Sequence, residues 1–202
     1  GAFDTIAQTL NSTKWQKLAE DFGYNQSDRS QVDFAYKKSH FDIASDDSVW
    51  SRMQLAIGQG TTTVTPLLNL MMYAAIANDG VMMTPYLVDH YLDANGNVVE
   101  QTKPKALRSV CTKAEAELMD EFLTYVITNG TAAAGGSQYA RVSGKTGSAQ
   151  YDSTKNYHAW FCGYGTNDVS EIAVCVMIEK GGAGGIVAAP VAGQIFDYYF
   201  SR

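Results

Sequence analysis

The sequence predicts an α+β fold in which helices cover an antiparallel sheet. Helical periodicity and capping signals dominate about residues 1–135, interrupted by a hairpin signal near 86–101. Three strand-like runs and a terminal helix then fill about residues 139–202. The connectors between these runs are too short for parallel crossovers, so antiparallel pairing is favoured. No repeat or internal boundary is evident, and we expect residues 1–202 to belong to a single domain.

Composition and charge exclude several classes of function. The 202 residues carry a net charge of −6, which disfavours nucleic acid and anionic membranes as partners. No apolar run is long enough to span a membrane. The cysteines and histidines lack ligand spacing, so we expect no metal and no cofactor. For Cys111, Cys162 and Cys175, buried thiols are favoured over one disulfide plus a free thiol.

Amphipathic helices are predicted at the start of the chain. Apolar residues recur at i, i+3, i+4 and i+7 from Phe3, and Ser12 or Thr13 can cap a second helix that ends at Gly23. Residues 24–47 are polar and aperiodic, which predicts a long loop. A short helix is expected over residues 48–56.

The middle of the chain carries the strongest local signals. Thr65 can cap a helix with Pro66 at its first position, and that helix is apolar enough to be buried nearly all round. Ala94-Asn95-Gly96 predicts a hairpin turn. Thr112 and Glu115 form a capping box for a helix whose predicted buried face is Leu118, Phe122, Leu123 and Val126.

The predicted sheet comprises Ala140–Gln150, Tyr157–Tyr164 and Glu171–Glu179. The third strand is apolar on both faces, which predicts cover on both sides. The terminal helix is expected to begin at Ala189-Pro190.

The first strand carries the most informative string in the sequence, Gly144-Lys145-Thr146-Gly147-Ser148. Lys145 supplies a positive charge, and the hydroxyls of Thr146 and Ser148 share one face of a strand. Gly147 leaves room for a ligand backbone. Such a strand suits an anionic, peptide-like ligand.

Two motifs contain this string. A phosphate-binding loop, G-x-x-x-x-G-K-[ST], needs a glycine where Tyr139 stands, and it needs a helix that begins at the lysine. Residues 149–153 show no helical period, so this interpretation is disfavoured. The alternative is the K-T-G element, which lines a strand beside a nucleophilic serine.

Several further stretches, in order along the chain, decide between the motifs. Together they resemble the transpeptidase domain of high-molecular-mass (class B type) penicillin-binding proteins, from near residue 1 to the C-terminus. The stretches are Ala56–Gly60, Thr65–Leu67, Ala75–Gly80, Gly130–Ala132, Gly144–Gln150, Ala159–Tyr164 and Ala188–Pro190.

The resemblance implies the penicillin-binding protein and serine β-lactamase fold, with serine acyl transfer on D-alanyl-D-alanine stem peptides and reaction with β-lactams. It assigns catalytic roles to Lys145 and to Ser148, whose backbone N–H would bind the oxyanion. Substrate binding would fall to Gly144, Thr146, Gly147 and Ser148, and Gly58, Gln59 and Gly60 would be a possible cleft wall.

The family's S-x-x-K and S-x-N motifs are missing from the chain. No serine lies three residues before any lysine, and the string closest to S-x-N, Thr9-Leu10-Asn11, falls in a predicted helix. The resemblance therefore predicts the C-terminal half of a transpeptidase domain, inactive alone. We expect the parent in the bacterial cell envelope, outside the cytoplasm, with a membrane anchor upstream. The incomplete sheet predicts a homodimer or swapped assembly.

Two alternatives of the same fold stay open at this level. One is a β-lactam-sensing receptor domain, and the other is a non-catalytic scaffold.

Overall fold

The computed structural model describes residues 2–26, 32–154 and 156–202. It contains six α-helices, one 3₁₀ helix at Ala133–Gly135 and seven strands in these residues. The helices are α1 (Ala2–Thr9), α2 (Ser12–Asp21), α3 (Val49–Ala56), α4 (Pro66–Ala77), α5 (Lys113–Asn129) and α6 (Gly184–Phe200). The strands are β1 (Val81–Met83), β2 (His90–Leu92), β3 (Val98–Gln101), β4 (Ala106–Ser109), β5 (Arg141–Gln150), β6 (Tyr157–Thr166) and β7 (Glu171–Ile178). The α+β prediction is confirmed.

The main sheet has the order β5-β6-β7, and both pairings are antiparallel as predicted. β5 pairs with β6 over ten consecutive residues, from Arg141 opposite Thr166 to Gln150 opposite Tyr157, without a bulge. Helix α6 contacts all three strands, while α4 contacts β6 and β7. The predicted cover on both faces of β7 is therefore confirmed.

The main core lies between α6 and the sheet. Phe161 on β6 and Phe196 on α6 are fully buried, with ring centroids 6.2 Å apart in an edge-to-face arrangement. Val142 of β5 and Val174 of β7 complete this layer from the two outer strands. β5 is therefore held on one edge by its hydrogen bonds to β6 and on one face by the core beneath α6.

Helix α6 begins earlier than the sequence predicted. It starts at Gly184, and Pro190 lies inside it. The prediction took the proline as a start signal. The backbone N–H groups of Ile186 and Val187 bond to the Ala183 carbonyl, so the helix is established before the proline is reached.

Two other helices differ in burial from the prediction. In α4, Thr65 caps the helix as expected, but only Leu68 and Ala75 are buried, and most of the other side chains are half-buried. In α5 the capping box of Thr112 and Glu115 is confirmed. Its predicted apolar face is wrong in part, because Ala116, Leu123 and Ile127 are buried whereas Leu118 and Phe122 are exposed.

Two small antiparallel pairs lie outside the main sheet. The predicted hairpin is confirmed as β2 paired with β3, with Gly96 at a φ of 86° in its turn. The pairing of β1 with β4 was not predicted, because three- and four-residue strands separated by another hairpin leave little periodic signal. The predicted loop at 24–47 has one isolated bridge, between His40 and Thr63, among its described residues, while residues 27–31 lie outside the description.

A buried arginine joins the first helices. Arg52 of α3 is 9% exposed. Its guanidinium donates to the Ala7 carbonyl at 3.1 and 3.3 Å, to the Leu10 carbonyl and to Ser12 Oγ at 2.6 Å. Backbone carbonyls at the C-terminal end of a helix such as α1 have no N–H donor within the helix. The Arg52 guanidinium provides these carbonyls with donors. The contact fixes α1 against α3.

We expect Arg52→Ala to lower the free energy of unfolding by about 2–3 kcal/mol, because it leaves buried carbonyls without donors. Chemical denaturation followed by circular dichroism measures the change. Lys17→Ala is the control, since Lys17 is exposed and its ion pair is with Asp21, one turn away on the same helix; we expect little change there. Equal effects for both variants would contradict the anchoring role.

Candidate active site

The outer edge of β5 is the centre of the site. The Tyr151 N–H, just past the strand, bonds to the Asn156 carbonyl on the β6 side at 3.3 Å. The Gln150 N–H and C=O point away from β6, toward the side chain of Gln59. In the orientation of the Gln59 amide that satisfies both groups, its nitrogen donates to the Gln150 carbonyl at 3.2 Å and its oxygen accepts from the Gln150 N–H at 3.2 Å. Backbone groups alternate along an antiparallel strand. The N–H and C=O of Ser148 and of Thr146 therefore also point outward.

A cleft of about 630 Å³ runs along this edge. One wall is the turn Gly58-Gln59-Gly60, and the other is the strand segment from Lys145 to Gln150. The two glycines of the turn have φ of 72° and 76°, a left-handed conformation that favours glycine. This turn presents Gln59 to the end of β5. The structure thus brings together Gly58, Gln59, Gly60 and Lys145–Ser148, all predicted from the sequence.

Lys145 lies on the sheet face opposite to the two hydroxyls. It is directly opposite Cys162 in the β5–β6 register, and its Nζ donates to the Thr146 carbonyl at 2.8 Å. Burial by surrounding atoms lowers the pKa of the Lys145 ammonium below its usual 10.5. A lysine with a lowered pKa can release and accept a proton more readily near neutral pH. Its role in catalysis stays a prediction.

Thr146 and Ser148 share the face that α6 covers. Thr146 Oγ1 lies 3.0 Å from Thr131 Oγ1, and Ser148 Oγ accepts the Gly184 N–H at 3.1 Å. Gly184 is the first residue of α6, so the N-terminal end of this helix lies beside the strand. Unpaired N–H groups at a helix start favour negative charge nearby. Both hydroxyls reach the cleft because it follows the strand edge.

Gly144 and Gly147 differ in whether the surrounding residues leave room for a side chain. A Cβ on Gly144 would lie 2.7 Å from Phe161 Cζ, so buried Gly144 is accounted for by internal packing. A Cβ on Gly147 would approach Trp160 no closer than 3.4 Å, an ordinary contact. Nothing within the described chain therefore requires glycine at 147. A glycine that packing does not require is expected at 147 if a ligand backbone must approach the strand there. The substrate-binding assignments of both glycines stay predictions.

An acidic residue holds the start of β5. Asp120 of α5 accepts from Tyr164 at 2.6 Å, from Ser143 Oγ at 2.7 Å and from Arg141 Nη1 at 2.8 and 3.0 Å. Asp120 is therefore a half-buried carboxylate that binds the strand, and it neither caps a helix nor stands free in solvent. Its partners come from β5 and β6, and only the tertiary fold brings them to α5.

Other cleft residues were missed by sequence reasoning. Tyr73 of α4 and Trp160 of β6 line the cleft. Thr62 also lines the cleft, and its Oγ1 is buried without a hydrogen-bond partner among the described residues. No periodic or motif signal marks these positions. Within the described ranges, no three His, Cys, Asp or Glu side chains gather as a metal site.

The string closest to S-x-N lies away from this cleft. Thr9 ends α1, and its Oγ1 donates to the Ile6 carbonyl at 2.8 Å. Asn11 caps α2 by accepting the Lys14 N–H at 3.0 Å. The prediction that this string falls inside a helix is therefore wrong, because a helix ends at Thr9 and another begins after Asn11. Both side chains serve the helix ends.

Comparison with known proteins assigns the family. Residues 2–197 match the family described as the penicillin-binding protein transpeptidase domain. The chain belongs to this family. The resemblance recognised from the Lys145 string and its companion stretches is thus confirmed.

Relatives in this transpeptidase family extend beyond the present chain. Peptidoglycan D,D-transpeptidase PbpA of Mycolicibacterium smegmatis is 32% identical over 145 residues, which are 67% of this chain and 29% of that protein. The D,D-transpeptidase domain of a peptidoglycan glycosyltransferase from Eggerthella lenta is 28% identical with a TM-score of 0.84, over 96% of this chain and 49% of that one. Penicillin-binding protein 3 of Mycobacterium tuberculosis, complexed with ampicillin, is 25% identical with a TM-score of 0.78, over 98% and 48% of the chains. The chain therefore spans about a third of the curated relative and about half of the solved ones.

We expect the Asp120 contacts to make stability depend on pH. Burial raises the pKa of the Asp120 carboxyl, but hydrogen bonds from Tyr164 and Ser143 and the Arg141 charge outweigh it, so the pKa is lowered. A lowered pKa stabilises the fold above the unfolded value of about 3.9, and this stabilisation is lost as pH falls through the folded value. Asp120→Asn should cost about 2 kcal/mol at pH 7 and flatten the acid side of the profile.

Denaturant unfolding between pH 3 and pH 7 measures this effect. The control is Glu121→Gln at the adjacent exposed position, which should leave the profile unchanged. A profile for Asp120→Asn parallel to that of the unchanged chain would contradict the role given to this carboxylate.

Proposed function

We propose that this chain forms one side of the active-site cleft of a peptidoglycan D,D-transpeptidase. The observation that carries the proposal is the outward-facing Ser148 N–H beside Lys145 in an open cleft, in a chain of the transpeptidase family. PbpA of M. smegmatis, a relative by sequence, is named for this activity. The chain spans only part of such relatives, so the complete activity belongs to a longer protein.

The proposed reaction is acyl transfer through a serine ester. The serine hydroxyl attacks the carbonyl of the penultimate D-alanine while its proton passes to a base, and the tetrahedral intermediate expels the terminal D-alanine. An amine of a second stem peptide then attacks the ester and releases the serine. In this scheme the Ser148 N–H donates to the oxyanion, and Lys145 carries positive charge beside the reacting groups.

The strand edge would bind the substrate as an added strand. The outward N–H and C=O groups of β5 offer backbone hydrogen bonds to an extended peptide, and Gly147 allows its close approach. The hydroxyls of Thr146 and Ser148 would donate to the terminal carboxylate, on the side where α6 begins. At the far end, Gln59 already occupies the Gln150 backbone groups. The free part of the edge therefore ends before Gln150.

The same edge would bind β-lactams. A β-lactam also carries a strained amide carbonyl and a carboxylate, so it presents the groups that this edge would recognise. The M. tuberculosis penicillin-binding protein 3, which shares the fold and is 25% identical, is solved with ampicillin. We propose β-lactam binding for the protein that contains this chain.

The attacking serine would come from outside these 202 residues, since no S-x-x-K string occurs in them. Peptidoglycan lies outside the cytoplasm, so the proposal places the protein in the cell envelope. Among the described residues, no helix has the length and hydropathy of a membrane span.

A fluorescent penicillin tests the catalytic proposal. The isolated chain should take no covalent label, while a longer protein that includes the S-x-x-K segment should be labelled. In that protein, Lys145→Ala should slow acylation by about 100-fold or more, because loss of a group that stabilises the developing negative charge costs about that much. Lys103→Ala, an exposed lysine beside the hairpin, is the control and should acylate normally.

Stable labelling of the 202 residues alone would refute the assignment of the nucleophile. Normal acylation of Lys145→Ala would refute the role of the lysine. Labelling of the longer protein without cross-linking of stem peptides would favour a β-lactam sensor over a transpeptidase.

We also propose that the isolated chain self-associates. Within the described residues β7 pairs only with β6, so its outer edge has unpaired backbone groups beside apolar side chains. Such an edge invites pairing with a second copy. Light scattering over a range of concentrations should show a dimer, and a monomer mass at every concentration would contradict this prediction.

A further inference from the structure

Two cysteines face each other across β6 and β7. Cys162 and Cys175 are direct partners in the antiparallel register, and their Sγ atoms lie 2.9 Å apart. A disulfide bond is about 2.0 Å long, so the sulfurs need to close by only about 0.9 Å. The transpeptidase motif lies on β5, whereas this pair lies on the next two strands of the same sheet.

The backbone geometry at this pair suits a cross-strand bond. Outward-facing Gln150 places alternate residues of β5 in hydrogen-bonded pairs with β6, and Lys145 opposite Cys162 is one of them. Cys162 therefore directs its backbone groups to β5, and its pairing with Cys175 is the non-hydrogen-bonded type. In such pairs the Cα atoms are about 4.5 Å apart and the side chains are closer than in the other type. This separation falls within the Cα range of disulfides, about 4.4–6.8 Å.

The pair is placed where a reagent can reach it and where it borders the site. Cys162 is 4% exposed but lines the cleft, and Cys175 is half-buried. The contact makes the two sulfurs unequal: it raises the pKa of Cys162, which donates its S–H, and lowers the pKa of Cys175, which accepts it. Cys175 is thus the sulfur that more readily becomes the attacking thiolate.

We propose that Cys162 and Cys175 form a reversible disulfide that ties β6 to β7 directly behind Lys145. The oxidant is a disulfide of the glutathione class. The Cys175 thiolate attacks one of its sulfurs, releases one thiol and becomes a mixed disulfide. Cys162 loses its proton, attacks the Cys175 sulfur and releases the second thiol. Two protein thiols are thereby oxidised and one external disulfide is reduced to two thiols.

The third cysteine provides an internal control. Cys111 lies beside Gly80 and packs against the cluster that contains Ala75 and Met82. It is half-buried, and neither of the other cysteines is its strand partner. It should therefore stay a free thiol under conditions that oxidise the pair.

The test equilibrates the chain with glutathione rich in the oxidised form, blocks free thiols with iodoacetamide and digests with trypsin. Cys162 and Cys175 fall in one peptide, residues 156–180, and cleavage at Glu171 separates them. The peptide should lack two hydrogens and take no iodoacetamide until it is reduced, while Cys111 is alkylated. Reduction should lower Tm by about 5–10 °C, as loss of a bond closing a short loop predicts.

Variants sharpen the outcome. Cys111→Ser should keep the disulfide and the Tm shift, whereas Cys175→Ser should lose both and leave Cys162 open to alkylation. If Cys175→Ser does not fold, alkylation of the unchanged chain still decides. Alkylation of both Cys162 and Cys175 under oxidising conditions, glutathione attached to either one, or a bond to Cys111 would overturn the proposal. None of these readouts depends on transpeptidase activity.

Discussion

The pairing of β5 with β6 is the constraint on which the rest of the structure depends. Ten residues pair in one register without a bulge, so the direction of every backbone group along β5 follows from any one of them. That register turns the Ser148 N–H toward the cleft, puts Lys145 on one face and places Thr146 and Ser148 on the other. A slip of one residue would reverse all of these directions. The chemistry proposed for the cleft therefore rests on a hydrogen-bond ladder rather than on any single side chain.

Contacts at both ends hold that strand in place. At its start, Asp120 gathers hydroxyls from β5 and β6 and the charge of Arg141. At its end, the Gln59 amide takes up the outward groups of Gln150. Between them lies the stretch of strand edge that an extended ligand would need, where the Thr146 carbonyl accepts from Lys145 Nζ. Behind it, the sulfur pair of β6 and β7 offers a covalent tie in the layer that supports Lys145.

Local sequence signals predicted the elements they directly specify. The cap at Thr65, the capping box at Thr112 and the turn at Gly96 were correct because each acts within a few residues. The failures share a different cause. Proline usually marks the first turn of a helix, yet Pro190 is the seventh residue of α6. The contact of the Gly184 N–H with Ser148 Oγ, which comes from the sheet, lies at the actual start of the helix. Leu118 and Phe122 have helical spacing, yet α5 presents another face to β5. The short β1 and β4 strands are stabilised by pairing with each other, and a local sequence pattern does not record this long-range contact.

The sequence by itself determined the family, the antiparallel order of the sheet and the string that lines the cleft, because these depend on residue type and on spacing along the chain. It also determined that no S-x-x-K serine lies within these residues. The tertiary structure alone decided that the edge of β5 borders an open cleft, which the lysine lines from one sheet face and the hydroxyls from the other. It alone brought Tyr73 and Asp120 to that strand. The physical reason is that hydrogen-bond direction and burial depend on partners distant in the chain, which no local pattern records.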